Sequence, residues 1–297
     1  MIQEVVEKVE KINNQNEYTG WKTWEPTDEE LVELYSEGKC PVVLKENEYL
    51  IVNDPKDGSN LAIYKMKEGK LIQINRAAIK VNNPKDGRSH IVYNPRNIEQ
   101  RCAFDLLHDD DITVKLLMGR FGSGKTFMLV VAALEALKEK KFEKIVWIRN
   151  NVDVKHTKDL GALKGDANEK MWPYLGPFID HVGNKLRVQK MLDDGVLEIE
   201  PLQFLRGRDI KNAIIMCSEA EQLTKEHLQL IISRASEGTS IWLDGDIKQR
   251  DKEVFEKSEG LETMIKKLSG DPLFGFVKLT KAERSATAAL ADKMDYS

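Results

Sequence analysis

A chain of 297 residues, 41% of them hydrophobic, has material for two domains or one large one with a substantial core. Its 45 basic and 49 acidic side chains leave a net charge of −4, and the split is 13 and 16 up to residue 95 against 32 and 33 after it; no global basic footprint exists, so any nucleic-acid contact must use a local groove. Cys40, Cys102 and Cys217 are widely spaced, with no CxxC pair and no clustering with the five histidines, which excludes a disulfide frame and a zinc site; the acidic start at residues 1–7 does not suit a signal peptide, and the longest apolar run, residues 127–134, is too short for a bilayer, so a cytoplasmic protein with no membrane partner is the expectation.

Along the chain, Ile2, Val5, Val6, Val9 and Ile12 recur at helical spacing, and Thr27 with Glu30 predicts a capping box opening a second short helix. The period then changes. Residues 41–44, 49–52, 61–64 and 71–74 are short β-type runs separated by Asp-Gly, Glu-Gly and Pro-Lys turns, predicting a small β-rich module within residues 1–95. Residues 52–58 (VNDPKDG) return at 81–87 as VNNPKDG. The repeated letters are nearly all turn formers, which favours two similar hairpin turns over a duplicated unit. Nothing in the module resembles an active site.

From about residue 96 strands and helices alternate. Apolar, β-favouring runs lie at residues 112–118, 145–148, 196–199, 213–217, 240–243 and 276–279, with helical stretches such as 126–137 and 225–235 between several of them. Such alternation predicts an α/β fold, a parallel sheet with helices on both faces, whose sites lie beyond the carboxyl ends of the strands.

The first strand of this series runs into Gly119-Arg120-Phe121-Gly122-Ser123-Gly124-Lys125-Thr126, two glycine-led corners followed by Lys and Thr, with a helical run behind. Glycines let the backbone curl until successive N–H groups face an anion, Lys125 brings a point charge to the outer phosphates, and the Thr126 hydroxyl can ligate Mg²⁺. The loop predicts ATP or GTP. Strand 213–217 ends in Ser218-Glu219, where an Asp-Glu pair usually holds the metal through water and orients the attacking water; Glu219 keeps the second role, while Ser218 offers a hydroxyl and no charge, which predicts weaker Mg²⁺ binding. Strand 240–243 leads through Asp244-Gly245-Asp246 to Gln249, a neutral group suited to sensing the γ-phosphate or its water. Gln100, some twenty residues before Lys125, could read an adenine edge with paired hydrogen bonds or be a surface amide.

Asn-x-x-Gln at 97–100, GxxxxGKT at 119–126, an acidic strand end followed by Ala220, and Gly-Asp-x-x-Gln at 245–249, in that order, resemble a superfamily 1 helicase core, and most closely the PhoH family of P-loop ATPases. Residues 160–166 (LGALKGD), 172–175 (WPYL), 204–208 (FLRGR) and 281–285 (KAERS) extend the resemblance over roughly residues 96–294. It implies a RecA-like P-loop NTPase domain at 96–297, ATP with Mg²⁺, and remodelling or unwinding of RNA or single-stranded DNA by a homo-oligomeric ring such as a hexamer. It also implies that Arg284 is an arginine finger or γ-phosphate contact, and that Arg206 and Arg208 reach nucleotide or RNA across a subunit boundary; each arginine could instead be a surface salt-bridge partner. Residues 27–95 resemble the β-rich connector of long PhoH proteins, without the PIN nuclease domain that precedes it there.

The sequence departs from that pattern at Ser218, at Glu221 where glutamine is usual, and at Asn150 where proline is usual. Two readings follow. One is an ATPase motor in which Lys125 and Thr126 hold the nucleotide, Glu219 orients water, and Gln249 and Arg284 sense the γ-phosphate. The other is a nucleotide-gated binding or assembly protein whose hydrolysis is slowed by Ser218, in which case Ser218→Asp should raise turnover.

Overall fold

The computed structural model describes residues 18–75, 78–83, 89–149, 175–246 and 260–283. By its internal contacts the chain divides after Gln73, whereas the sequence reading ends its small module at residue 95. The predicted helix near residues 2–12 lies outside the described residues.

In the first unit, β1 (Trp21–Trp24) precedes α1 (Asp28–Glu37), and β2 (Tyr49–Asn53), β3 (Asn60–Lys67) and β4 (Lys70–Gln73) follow. The capping box forms as expected. The Glu30 amide donates to Thr27 Oγ1 at 3.3 Å and the Thr27 amide to Glu30 Oε2 at 2.8 Å, satisfying two donors that a helix start leaves open. The sheet order is β1-β2-β3-β4, with β1 parallel to β2 and the other pairs antiparallel. Leu34 of α1 packs on Leu50, Val52, Ala62 and Tyr64 to make the core.

Residues 41–44 do not form the predicted strand. They keep a strand-like alternation, with Val42 and Leu44 packed against that core and Val43 82% exposed, but they join no ladder. The place beside β2 is filled by β1, whose register sets Trp21 opposite Tyr49. Alternation specifies which side chains are buried; a strand also needs a neighbour, which no local pattern supplies.

The second unit opens with the antiparallel hairpin β5 (Ile79–Asn82) and β6 (His90–Tyr93). Both copies of the repeated heptapeptide lead out of a hairpin strand, and similar backbone bonds close the two turns: Asp54 N to Ser59 O at 2.8 Å and Asn83 N to Ser89 O at 2.9 Å. Residues 84–88 of the second turn lie outside the described residues. After the hairpin come α2 (Ile98–His108), β7 (Val114–Gly119), α3 (Lys125–Lys138), β8 (Lys144–Arg149), α4 (Gly176–Val182), α5 (Lys185–Asp193) and β9 (Leu197–Pro201). Then follow β10 (Ala213–Cys217), α6 (Lys225–Ile232), β11 (Ser240–Gly245), α7 (Gly260–Leu268) and β12 (Phe274–Leu279).

Six strands form one parallel sheet in the order β12-β7-β11-β10-β8-β9, flanked by helices. Every residue of β10 and β11 is buried, which is why these segments read as apolar runs rather than as an alternation. Helix α3 is buried from Met128 through Ala136 because it lies at the centre of the layer, and Lys80 of the hairpin donates its amide to Glu135 on it at 2.7 Å. Among the described residues no helix is long and apolar enough to cross a membrane.

Gly119 ends β7 close against β12. A Cβ there would lie 2.5 Å from the Leu279 carbonyl oxygen on β12 and 2.9 Å from Ser123 Oγ. A backbone oxygen in a ladder cannot swing aside, so Gly119→Ala must part the two strands. The expected loss is about 1–3 kcal/mol, or roughly 3 °C per kcal/mol in a thermal melt. A variant that melts with the parent protein would show that the strands yield freely.

Candidate functional site

The loop after β7 is shaped by conformations that only glycine adopts cheaply. Gly122 and Gly124 have φ of 83° and 87°, and Gly124 delivers the chain into α3 with no side chain capping that helix. The first amides of α3 therefore remain available for an anion at the helix start. Lys125, 9% exposed, folds back so that Nζ donates to the carbonyls of Gly119 at 2.6 Å and Arg120 at 3.2 Å. Ser123 Oγ is buried without a hydrogen-bond partner, while Arg120 and Phe121 are exposed.

Two segments brace this loop. Asn97 caps α2 by accepting from the Gln100 amide at 2.9 Å. The Gln100 side chain then accepts from the Arg96 amide at 2.8 Å and donates to the Ser123 carbonyl at 3.2 Å. In this structure both ends of that buried amide hold the chain itself, tying α2 to the loop. Beyond β12, the Glu283 amide donates to the Gly122 carbonyl at 3.0 Å and its carboxylate accepts from Asn97 Nδ2 at 3.0 Å. The segment leading to Arg284 thus lies against the loop. Arg284, Gln249, Asn150 and the motif at residues 160–166 lie outside the described residues, as do residues 172–174 of the next motif.

Next to Lys125 in the chain, Thr126 Oγ1 is 3.5 Å from Ser218 Oγ, which bonds Asp244 Oδ1 at 3.1 Å. The Glu219 amide donates to the same oxygen at 3.2 Å. Glu219 itself has φ of 59° and an exposed side chain, a left-handed turn of a non-glycine residue just past a strand end. Asp244 is 2% exposed. Burial pushes its carboxyl up from the ordinary range, opposed by the charge of Lys125 and by hydrogen bonds from the Glu219 amide, Thr126 and Ser218. Its other oxygen, Oδ2, is buried with no partner.

Asp244 entered the sequence reading only as a letter in a strand-end string. The available signal was an acidic residue inside a run buried at every position, where an ionised group is costly unless it has work to do. Among the described residues no three or more His, Cys, Asp or Glu side chains gather to cage a metal. The residues present fit Mg²⁺, which is commonly held by one or two carboxylates plus substrate phosphates and water: Thr126 and Ser218 hydroxyls and an orphaned oxygen of Asp244.

Glu221 is also buried, its carboxylate accepting from the Asp246 amide at 3.0 Å. Burial, helped by the negative charges of Asp244 and Glu219, pushes it up to about 7 against the pull of backbone hydrogen bonds. Its folded value stands above the unfolded one, so the folded protein binds the proton more tightly. The associated stability is full below about pH 4.5 and is lost as pH rises through about 7. Glu221→Gln should therefore raise the melting temperature at pH 8, by on the order of 2 kcal/mol of stability, and scarcely change it at pH 5. Equal shifts at both pH values would contradict this origin.

Arg208 lies elsewhere. It pairs with Glu198 at 3.0 Å and with Glu200, both on the edge strand β9, and Lys144 joins Glu198 at 2.6 Å. Four strand spacings separate β9 from β7, about 19 Å, so the structure does not bring Arg208 to the loop of its own chain. Arg206 is exposed two residues before it.

Residues 92–292 match the family described as PhoH, PhoH-like protein. The chain is similar to Protein PhoH2 of Thermobispora bispora, 34% identical over 202 residues covering 67% of this chain and 46% of that protein. Protein PhoH2 of Bacillus subtilis is 33% identical over 206 residues, 66% of this chain and 46% of the other. A PhoH-like protein of Synechocystis is 28% identical over 184 residues, 60% and 55% of the two chains. The chain spans about half the length of the curated relatives it matches. Flagellar accessory protein FlaH from Methanocaldococcus jannaschii, a solved structure, is 12% identical with a TM-score of 0.28 over 53% of this chain and 68% of that one, too remote to inform function.

Proposed function

The chain belongs to the PhoH family, and from that premise we propose that residues 96–297 form an ATPase domain that hydrolyses Mg-ATP and uses the cycle to remodel or unwind RNA or single-stranded DNA. The observation that carries the ATPase half is the run of contacts from the glycine loop through Thr126 and Ser218 to Asp244, with Glu219 at the tip of the same strand. Loop amides and Lys125 bind the phosphates, Thr126 lies on the metal side, and Glu219 holds the attacking water in line with the γ-phosphorus. Mg²⁺, when bound, neutralises charge on the β- and γ-phosphate oxygens.

Gln249 and Arg284 complete the assignment as γ-phosphate sensors. Support for Arg284 comes from the preceding residue, whose amide bonds the loop at Gly122. Arg206 and Arg208 are assigned to a neighbouring subunit's nucleotide or to nucleic acid in a homo-oligomeric ring, a role compatible with their distance from the loop of their own chain. The nucleic-acid half rests on the order of motifs resembling a superfamily 1 helicase core. ATP turnover measured with and without RNA and DNA strands tests it. Stimulation by single strands is expected, and turnover indifferent to every strand would remove the motor while leaving the ATPase.

A further inference from the structure

We propose that Asp244 is the carboxylate that anchors the nucleotide's Mg²⁺, taking over from β11 the charge that Ser218 lacks on β10. The proposal rests on the reading of residues 119–126 as an ATP site. Three observations carry it. The first is register: β10 and β11 are parallel neighbours with Cys217 opposite Leu243, so Ser218, just past β10, and Asp244, within β11, lie at one level. Because β11 lies between β10 and β7, with Asp244 opposite Leu117, that level is shared with the strand that feeds the glycine loop.

The second is contact. Ser218 Oγ donates to Asp244 Oδ1 at 3.1 Å and stands 3.5 Å from Thr126 Oγ1, and the Thr126 hydroxyl acts on Asp244 as well, so this carboxylate adjoins the residue expected to touch the metal. Lys125 is close enough for its charge to act on Asp244. The third is an unmet demand. The Ser218 hydroxyl and the Glu219 amide both bond Oδ1 of Asp244. Oδ2 is buried with no partner, an expense that a metal-bound water would offset.

Ser218 then has a reason. Aspartate at both positions would set two carboxylates about one hydrogen bond apart, and both cannot stay ionised there. Ser218 instead keeps a donor toward Asp244 and a lone pair toward Thr126. The sequence expectation that Ser218 weakens Mg²⁺ binding counts the charge on one strand only.

The test measures affinity for a fluorescent ATP analogue in EDTA and in Mg²⁺, with circular dichroism to verify folding. Wild type should gain affinity on adding Mg²⁺. Asp244→Asn should lose roughly 10- to 100-fold in the Mg²⁺ buffer while keeping its EDTA affinity, which depends on Lys125 and the loop amides. The exchange variant Ser218→Asp/Asp244→Ser returns the carboxylate to the neighbouring strand and should recover the gain. Ser218→Asp alone should not raise turnover. The assignment is overturned by any of these: an Asp244→Asn protein with the full Mg²⁺ gain, a folded exchange variant without it, a wild type that binds equally in both buffers, or a clear rise in turnover from Ser218→Asp alone. A wild type that binds the analogue in neither buffer overturns the ATP reading itself, and Asp244's role with it.

Discussion

Lys125→Ala is expected to cut ATP turnover at least about 100-fold and to weaken ATP binding in EDTA and Mg²⁺ alike. The ammonium is nearly buried and already spends its donors on the Gly119 and Arg120 carbonyls, so it is held at the mouth of the loop before any phosphate arrives. Such preorganisation makes the charge effective: little reordering is needed when phosphate oxygens replace the carbonyls. The variant also removes the positive charge that acts on Asp244, so the metal side should suffer with the phosphate side. One freed carbonyl is that of exposed Arg120 and the other that of Gly119 at the end of β7, so a thermal melt run beside the assay separates lost folding from lost binding. Turnover within a few-fold of wild type would mean that the loop is not the nucleotide site.

Glu219→Gln should separate binding from chemistry. Turnover is expected to fall by about 100-fold or more, while nucleotide affinity and its Mg²⁺ dependence persist. The backbone explains the separation. The bond from Glu219 to Asp244 is made by its amide, which glutamine retains, and the left-handed turn that directs the side chain outward is equally open to both residues. Only the negative charge that polarises water is lost. Single-turnover measurement beside analogue binding reads the two effects apart. If both fall together, Glu219 acts on the shape of the site rather than on water.

Much of this was legible because some chemistry is local. The glycine loop, the apolar runs of β7, β10 and β11, the capping box at Thr27 and the hairpin turns are written within ten residues or fewer, where each letter sets its own backbone preference. The assignment of Glu219 to a strand end used the same logic, and β10 does end at Cys217. Residues 41–44 show the limit. Their β-favouring letters were read as a strand, but the place beside β2 went to β1 and these residues join no ladder.

Gln100 and Asp244 show it more sharply. Spacing offered Gln100 as an adenine reader or a surface amide; that its buried side chain bonds Arg96 and Ser123 depends on where α2 packs. Asp244 is 26 residues from Ser218 in sequence and about one hydrogen bond away in space. By itself the sequence determined a parallel α/β domain with a phosphate-binding loop and a glutamate at a strand end, because backbone freedom, burial and periodicity are properties of short segments. Which carboxylate stands beside Thr126 was decided by the tertiary structure alone, because strand order in a parallel sheet makes neighbours of residues that no local pattern connects.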